Sequence, residues 1–327
     1  MARRLTVRQE TWPIRGAFTI SRGSKTAADV VVVEIEEDGV VGRGECVPYA
    51  RYQETIPTTL ERIERLRPAI EAGLTRDELQ AMLAPGAARN ALDCALWDLA
   101  AKRTGTPVWK AAGLPEPQPL TTCYTLSLGT PEAMAAAAVA AGPRPLLKLK
   151  LDGEGDYERV AAVRAAAPEA RLVADANEAW TPSLCVDLLP KLAELGVEMI
   201  EQPLPAADDA MLASIKRVVP ICADESCHDS STLGRLAGRY DAINIKLDKT
   251  GGLSEALALA AFAREMNFGI MVGCMLATSL AMAPALLLGR LARWVDLDGP
   301  LLLQKDREPG LAFEGSMVQP APPQLWG

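Results

Sequence analysis

The chain has 327 residues, 49% hydrophobic, 23% charged and 5% aromatic, a balance that can bury a sizeable core and excludes a disordered or collagen-like chain. Asp and Glu number 42 against 34 Lys and Arg, a formal charge of −8 without a basic block, which argues against nucleic acid and anionic membranes and leaves a small-molecule partner. Seven cysteines without a Cys-x-x-Cys and a single histidine supply zinc sites, disulfide frameworks and histidine triads poorly, so proton chemistry would fall to lysines and carboxylates. Residues 1–8 (MARRLTVR) regain charge too early for an export signal, and no apolar run of about 18 residues follows, so a reducing cytoplasm is expected.

Residues 28–37 (ADVVVVEIEE) are β-branched and end at Asp38-Gly39, after which 40–47 resumes, so a hairpin is expected. The period then changes. Residues 54–72 and 88–104 carry apolar side chains at helical spacing, Ala91, Leu92, Ala95, Leu96, Leu99 and Ala100 making one stripe in the second. This predicts an α+β unit over 1–115, followed by a proline-rich linker at 114–120 (LPEPQPL). Beyond it, apolar runs at 120–126, 145–150, 171–175, 197–201, 219–224, 241–246, 268–272 and 293–297 alternate with helical stretches such as 131–141, 156–167, 183–195 and 253–267. Eight strands with about seven helices predict a closed parallel barrel over 119–300. The tail, 301–327 with its proline-rich stretch 308–326, is expected to pack back on the N-terminal unit.

Polar residues close the strands: Lys148-Leu-Lys150, Asp175-Ala-Asn177, Glu201-Gln-Pro203, Asp224-Glu225-Ser226, Lys246-Leu-Asp248 and Asp296-Leu-Asp298. In a parallel barrel these C-terminal strand ends form the functional face. Lys150, Asp175, Glu201, Asp224 and Lys246 are 25, 26, 23 and 22 residues apart, about one βα unit each, so the ends are in register. Three carboxylates on successive strands crowd one point, and a hard divalent cation, Mg²⁺, makes that tolerable. Lys148 and Lys150 share a strand face, while Lys246 lies four strands round, across the mouth. Adjacent ammonium groups near a dication predict a lowered pKa for Lys150, suiting a base.

These motifs, with Ala223-Asp-Glu-Ser226 and Asn244-Ile-Lys246 followed by Gly251-Gly252, resemble the muconate-lactonizing-enzyme subgroup of the enolase superfamily. Gly42-x-Gly44-Glu45 and Ala91-Leu-Asp93-x-Ala95-Leu-Trp97-Asp98 are similar to that family's capping domain, so the likeness covers nearly the whole chain. The fold it implies is α/β: a modified (β/α)₇β TIM-like barrel with an α+β capping domain, closed by the tail. Asp296-Leu-Asp298 resembles the Asp-x-Asp of dipeptide epimerases; two carboxylates on one strand face suit an ammonium group, although Asp296 has the alternative role of orienting Lys246 or a loop.

Together with Cys123-Tyr-Thr125, Gly273-Cys-Met-Leu276 and residues 20–25, the likeness points to epimerases of L-Ala-D/L-Glu. It implies one Mg²⁺ per subunit on Asp175, Glu201 and Asp224. It further implies Lys150 and Lys246 as opposed acid and base moving the Glu α-proton through an enediolate, with Lys148 stabilising charge. Substrate contacts fall on Thr125, Lys148, Cys274, Met275, Leu276, Asp296 and Asp298, and a cap-loop cation, Arg22 or Lys25, is expected to meet the Glu side chain. The implied partner is a small-molecule dipeptide from murein peptide recycling, with a homo-oligomer left open. Gly251-Gly252 is read as a tight turn, His228 as loop packing and Cys274 as a backbone contributor. A muconate-type cycloisomerase, an o-succinylbenzoate synthase and a non-catalytic peptide-binding barrel are the alternatives. Substrates of the first two offer the Asp pair no ammonium, and the third needs no base on both faces.

Overall fold

The structure, a computed structural model, describes residues 3–327; Met1 and Ala2, the start of the stretch read against an export signal, lie outside the described residues. Two long strands, β1 (Arg4–Ile20) and β2 (Gly23–Glu37), pair antiparallel, and β3 (Val40–Cys46) joins β2 after the Asp38-Gly39 turn. Within β2, Val30, Val31, Val32 and Val33 run apolar without interruption because that stretch is buried on both faces. Val31, Val33 and Ile35 enter a core with Ile63, Ile70 and Leu92, whereas Val30 and Val32 belong to the core shared with the barrel.

Three helices cover the first face: α1 (Ile56–Glu71), α2 (Arg76–Met82) and α3 (Ala87–Thr104), with the single turn α4 (Val108–Ala111) after them. Thr55 and Thr75 start α1 and α2 with reciprocal capping boxes. α3 is buried almost all round, and the glycines of β3 explain how. A Cβ on Gly42 would lie 2.2 Å from Ala95 O and one on Gly44 2.0 Å from Ala91 O, so sheet and helix touch backbone to backbone. On its other side α3 meets a turn of the barrel. Arg89 donates to Thr250 O (2.7 Å) and Gly251 O (3.1 Å), Asn90 Nδ2 donates to Asp248 Oδ1 (2.8 Å), and Asp93 accepts from Ser254 N and Oγ. Gly252, at φ 112°, leaves no room for a Cβ beside Asp93. The paired glycines are a tight turn, as expected.

The linker leads into β4 (Leu120–Thr121) and β5 (Tyr124–Leu126). From there strands and helices alternate: α5 (Pro131–Ala140), β6 (Leu146–Lys150), α6 (Asp156–Ala166), β7 (Arg171–Asp175), α7 (Pro182–Glu194), β8 (Val197–Glu201) and β9 (Ile221–Ala223). The series continues with α8 (Leu233–Leu236), β10 (Ala242–Lys246), α9 (Leu247–Thr250), α10 (Leu253–Glu265), β11 (Gly269–Gly273), α11 (Ser279–Leu286), β12 (Trp294–Asp296) and α12 (Gly299–Leu302). β5 to β12 form one eight-stranded sheet in chain order with parallel pairing, and Cys123 N donating to Val295 O (2.7 Å) draws its two edges together. Strand β8 reaches β9 through a 3₁₀ turn, Ala210–Ser214, in place of a regular helix.

The expected strand 120–126 is split in two. β4 turns away to pair with β14 (Met317–Val318), itself paired with β13 (Phe313–Glu314). The tail then reaches α3, where Trp326 Nε1 donates to Cys94 O (3.0 Å) and Gly327 N to Asp98 Oδ1 (2.8 Å). Among the described residues no helix is long and apolar enough to cross a membrane.

Candidate active site

Leu147 and Leu149 of β6 point outward into the main core, so the strand period turns Lys148 and Lys150 inward at the mouth. Asp175 ends β7, Glu201 ends β8, Asp224 follows β9, Lys246 ends β10 and Asp296 ends β12; all are buried. Lys148 Nζ binds the ring together, 2.7 Å from Asp296 Oδ2, 2.7 Å from Glu201 Oε2 and 3.3 Å from Asp175 Oδ2. Lys150 Nζ meets Asp175 Oδ2 at 2.6 Å, and across the mouth Lys246 Nζ meets Asp224 Oδ2 at 2.7 Å.

Supporting residues aim these groups. Asn177 N donates to Asp175 Oδ1 (2.9 Å), Asn244 Nδ2 to Glu201 Oε1 (2.7 Å), and Asp224 N to Gln202 Oε1 (2.9 Å). Gly273 makes room for Asn244, since a Cβ there would stand 2.6 Å from its Oδ1. Lys249 Nζ, fully buried, donates to Asp224 Oδ1 and Asp224 O (2.6 Å each) and to Asn244 O (3.0 Å).

Charge is unevenly balanced in this space. Burial pushes Asp175 up, but Lys150 and Lys148 outweigh it and hold the carboxyl at about 2. Burial likewise opposes Asp224, which Lys246 and Lys249 keep well below the carboxylate range. Glu201 is raised, by burial and then by the Asp175 charge. Its Oε2 has the Lys148 ammonium nearby but no directed hydrogen bond, and Asn244 Oδ1 and Asp296 Oδ1 are also buried without a partner among the described residues. Lys148 and Lys246 remain ammonium groups: burial pulls their pKa values down, and facing carboxylates raise them further. Among the described residues no three acidic, Cys or His side chains are already gathered as a cation cage; ammonium groups stand between the carboxylates. The hard-oxygen donor set and the unsatisfied Glu201 oxygen nevertheless fit Mg²⁺.

Asp298, two residues beyond β12, accepts from Thr125 N at 2.6 Å, and burial with the neighbouring Asp296 charge pushes it up to about 7. In the loop after β11, Met275 joins the main core and Leu276 packs beside Ile14 and Ala28. The Cys274 thiol is raised by burial and by Asp296, which suits an unreactive wall. Arg22 reaches the mouth from the β1–β2 turn, its Nη2 2.6 Å from Glu225 Oε1 and its Nη1 2.8 Å from Asn177 O. Lys25 stands apart, its ammonium 5.4 Å from the Tyr49 ring centroid. His228 packs edge-on against Tyr52, with Nε2 3.1 Å from Glu225 O.

Two groups escaped the sequence reading. Lys249 was visible only as a second lysine three residues after Lys246, and Glu178, which binds Arg51 and Arg22, carried no signal.

A parallel barrel with lysines opposed across a carboxylate-lined mouth, under an α+β cap, is an enolase-type architecture. Residues 131–322 match the enolase C-terminal domain-like family, and residues 2–113 match the mandelate racemase/muconate lactonizing enzyme N-terminal domain. The chain belongs to this mandelate racemase/muconate lactonizing enzyme family. It is 51% identical to the L-Ala-D/L-Glu epimerase of Escherichia coli over 95% of this chain and 98% of that one. A solved Agrobacterium tumefaciens enolase family member, described as homologous to dipeptide epimerases with bound sodium and L-Ala-L-Glu, is 54% identical with a TM-score of 0.97, covering 99% of this chain and 100% of that one. A dipeptide epimerase from Enterococcus faecalis, solved with Mg and L-Leu-L-Tyr, is 32% identical with a TM-score of 0.90 and 98% coverage of both chains.

Proposed function

We propose that this chain is a Mg²⁺-dependent epimerase of L-Ala-D/L-Glu that inverts the Glu α-carbon by proton transfer between two lysines. The observation that carries the reading is their opposition. In the sheet order, three strands separate β6 from β10 in a ring of eight, so Lys150 and Lys246 approach one point from opposite sides. A binding protein has no use for that arrangement; a cycloisomerase or synthase of the same family would use the same lysines, and against those the Asp296–Asp298 pair, suited to an ammonium group, favours the dipeptide reading.

Asp175, Glu201 and Asp224 would hold the Mg²⁺, which when bound there supplies positive charge to a substrate carboxylate and so acidifies the adjacent α-hydrogen. The remaining chemistry belongs to side chains. Lys246, kept protonated by Asp224 and Glu201, delivers a proton to one face, and Lys150 takes one from the other; the roles reverse for the opposite epimer. Lys148 stays cationic and offsets charge that develops on the substrate carboxylate. Asp296 and Asp298, beside Thr125, receive the dipeptide ammonium, and Arg22 reads the Glu side chain. The segment Cys274-Met275-Leu276 walls the substrate. We place the reaction in the cytoplasm, in recycling of murein peptides, a reading supported by seven cysteines that are all free thiols.

Incubating the protein with L-Ala-L-Glu in D₂O, with Mg²⁺ or with chelator, and following the Glu α-hydrogen by NMR tests this directly. Metal-dependent exchange with formation of L-Ala-D-Glu is expected. Binding without exchange would leave a peptide-binding barrel, and turnover of a muconate or succinylbenzoate precursor alone would make the chain a cycloisomerase or synthase.

A further inference from the structure

The β1–β2 turn is fastened to the barrel at two adjacent residues that the proton transfer does not use, Asn177 and Glu178. Both hold left-handed backbone, φ 44° and 68°, a region unfavourable to residues with a Cβ. The turn they make faces two ways. Asn177 N addresses Asp175, while Asn177 O accepts from Ser21 Oγ (3.1 Å) and Arg22 Nη1 (2.8 Å) of the cap. The Glu178 carboxylate, 10% exposed, gathers four donors. Its Oε1 takes Arg51 Nη2 (2.7 Å) and Ala206 N (2.8 Å), and its Oε2 takes Arg51 Nε (2.8 Å) and Arg22 Nη1 (3.3 Å).

Arg22 is therefore shared by two carboxylates of different standing. Glu178 already has the bidentate Arg51. Glu225, which takes Nη2, is more deeply buried, beside Asp224, and its second oxygen has no hydrogen-bond partner among the described residues. Lys150 and Lys246 are each 6% exposed, and Phe18 of the same hairpin stands beside Lys150, its ring centroid 5.8 Å from Nζ.

We propose that Glu178 is a positioning residue for substrate selection: with Arg51 it retains Nη1 of Arg22 while Nη2 exchanges Glu225 for the carboxylate of the substrate's second side chain. This rests on the dipeptide reading above. Without Glu178 the guanidinium keeps the Asn177 carbonyl and Glu225 but is no longer presented as a fixed fork.

The test compares Glu178→Ala, Glu178→Gln and Arg51→Met with the unaltered protein on L-Ala-L-Glu and L-Ala-L-Gln, alongside timed trypsin digestion after Arg22 and Lys25. Glu178→Ala and Arg51→Met should lower the kcat/KM ratio of the charged over the uncharged dipeptide by about tenfold, the loss of one charge-assisted contact, mainly through KM. Glu178→Gln should fall between, and cleavage of the turn should quicken in all three. An unchanged ratio, an equal loss on both dipeptides, or unchanged protection from trypsin overturns the proposal. If Glu178→Ala fails to fold, Arg51→Met, altered on the cap side, decides by the same criteria. Turnover of neither dipeptide by the unaltered protein would instead overturn the proposed function and this selection role with it, while digestion still reads the fastening.

Discussion

The eight barrel strands carry two interiors, one directly above the other. Near their starts, Cys123, Leu146, Val173, Met199, Cys222, Ala242, Met271 and Trp294 close into an apolar plug. Two residues further along each strand come Thr125, Lys148, Asp175, Glu201, Asp224, Asn244, Gly273 and Asp296. The strand period makes each polar residue the next inward neighbour of an apolar one. The plug gains from burial without an unpaired polar group, whereas the layer above it keeps buried oxygens unsatisfied on Glu201, Asn244 and Asp296. The apolar layer and the charged layer are thus separated by about one strand repeat.

Several substitutions would break or sharpen that separation. The largest effect is expected at the bases. Lys150→Ala and Lys246→Ala should each lower epimerisation by ~10³-fold or more. NMR in D₂O should show each variant still exchanging the α-hydrogen of one epimer, and a different one. If both exchange the same epimer, the opposed assignment is wrong.

Next comes Glu201→Gln, which should abolish Mg²⁺ binding measured by calorimetry and reduce turnover by ~10²-fold or more. Because the Glu201 pKa is raised on folding, its ionisation costs stability as pH rises above the ordinary carboxylate range. In chelator the Gln variant should therefore lose less stability than the unaltered protein between acid and neutral pH. A steeper loss in the variant would mean that pairing with Lys148 outweighs burial.

In the lower layer, Met199→Ala should cost about 2–5 kcal/mol of stability in denaturant unfolding while leaving kcat/KM within a few-fold at 25 °C. A large fall in kcat/KM of the folded variant would show the layers coupled. The smallest effect concerns Asp298. With its carboxyl near 7, it binds an ammonium better as pH rises through that value, so KM for L-Ala-L-Glu should fall there by a few-fold. An N-acetylated analogue and the Asp298→Asn variant should lack this trend.

The mouth was legible in the sequence because two simple periods specify it. Alternation places Lys148 beside Lys150, and spacings of 22 to 26 residues repeat one βα unit from Lys150 to Lys246. β1 was not legible, since residues 4–20 mix polar and apolar side chains without alternation and take their order from pairing with β2. α2 is only seven residues long, although Thr75 and Glu78 spell its capping box. The short 3₁₀ link between β8 and β9 departs from the regular helix that the repeat suggested. Glu178 could not be read at all: its partners Arg51 and Arg22 lie 127 and 156 residues away, and only the assembled fold brings them together.

The seam between α3 and the Thr250–Ser254 turn has a consequence for biosynthesis. Arg89, Asn90 and Asp93 leave the ribosome long before their partners, since Ser254 follows Asp93 by 161 residues. At a translation rate of about 5–20 residues per second, that buried flank of α3 waits roughly 10–30 s for the sixth barrel strand and the turn after it. The N-terminal sheet and helices can assemble early, but they carry an uncovered polar and apolar seam through most of the chain's synthesis. That interval is when a nascent chain most needs shielding from its neighbours, and a slowly translated stretch before residue 250 would lengthen it.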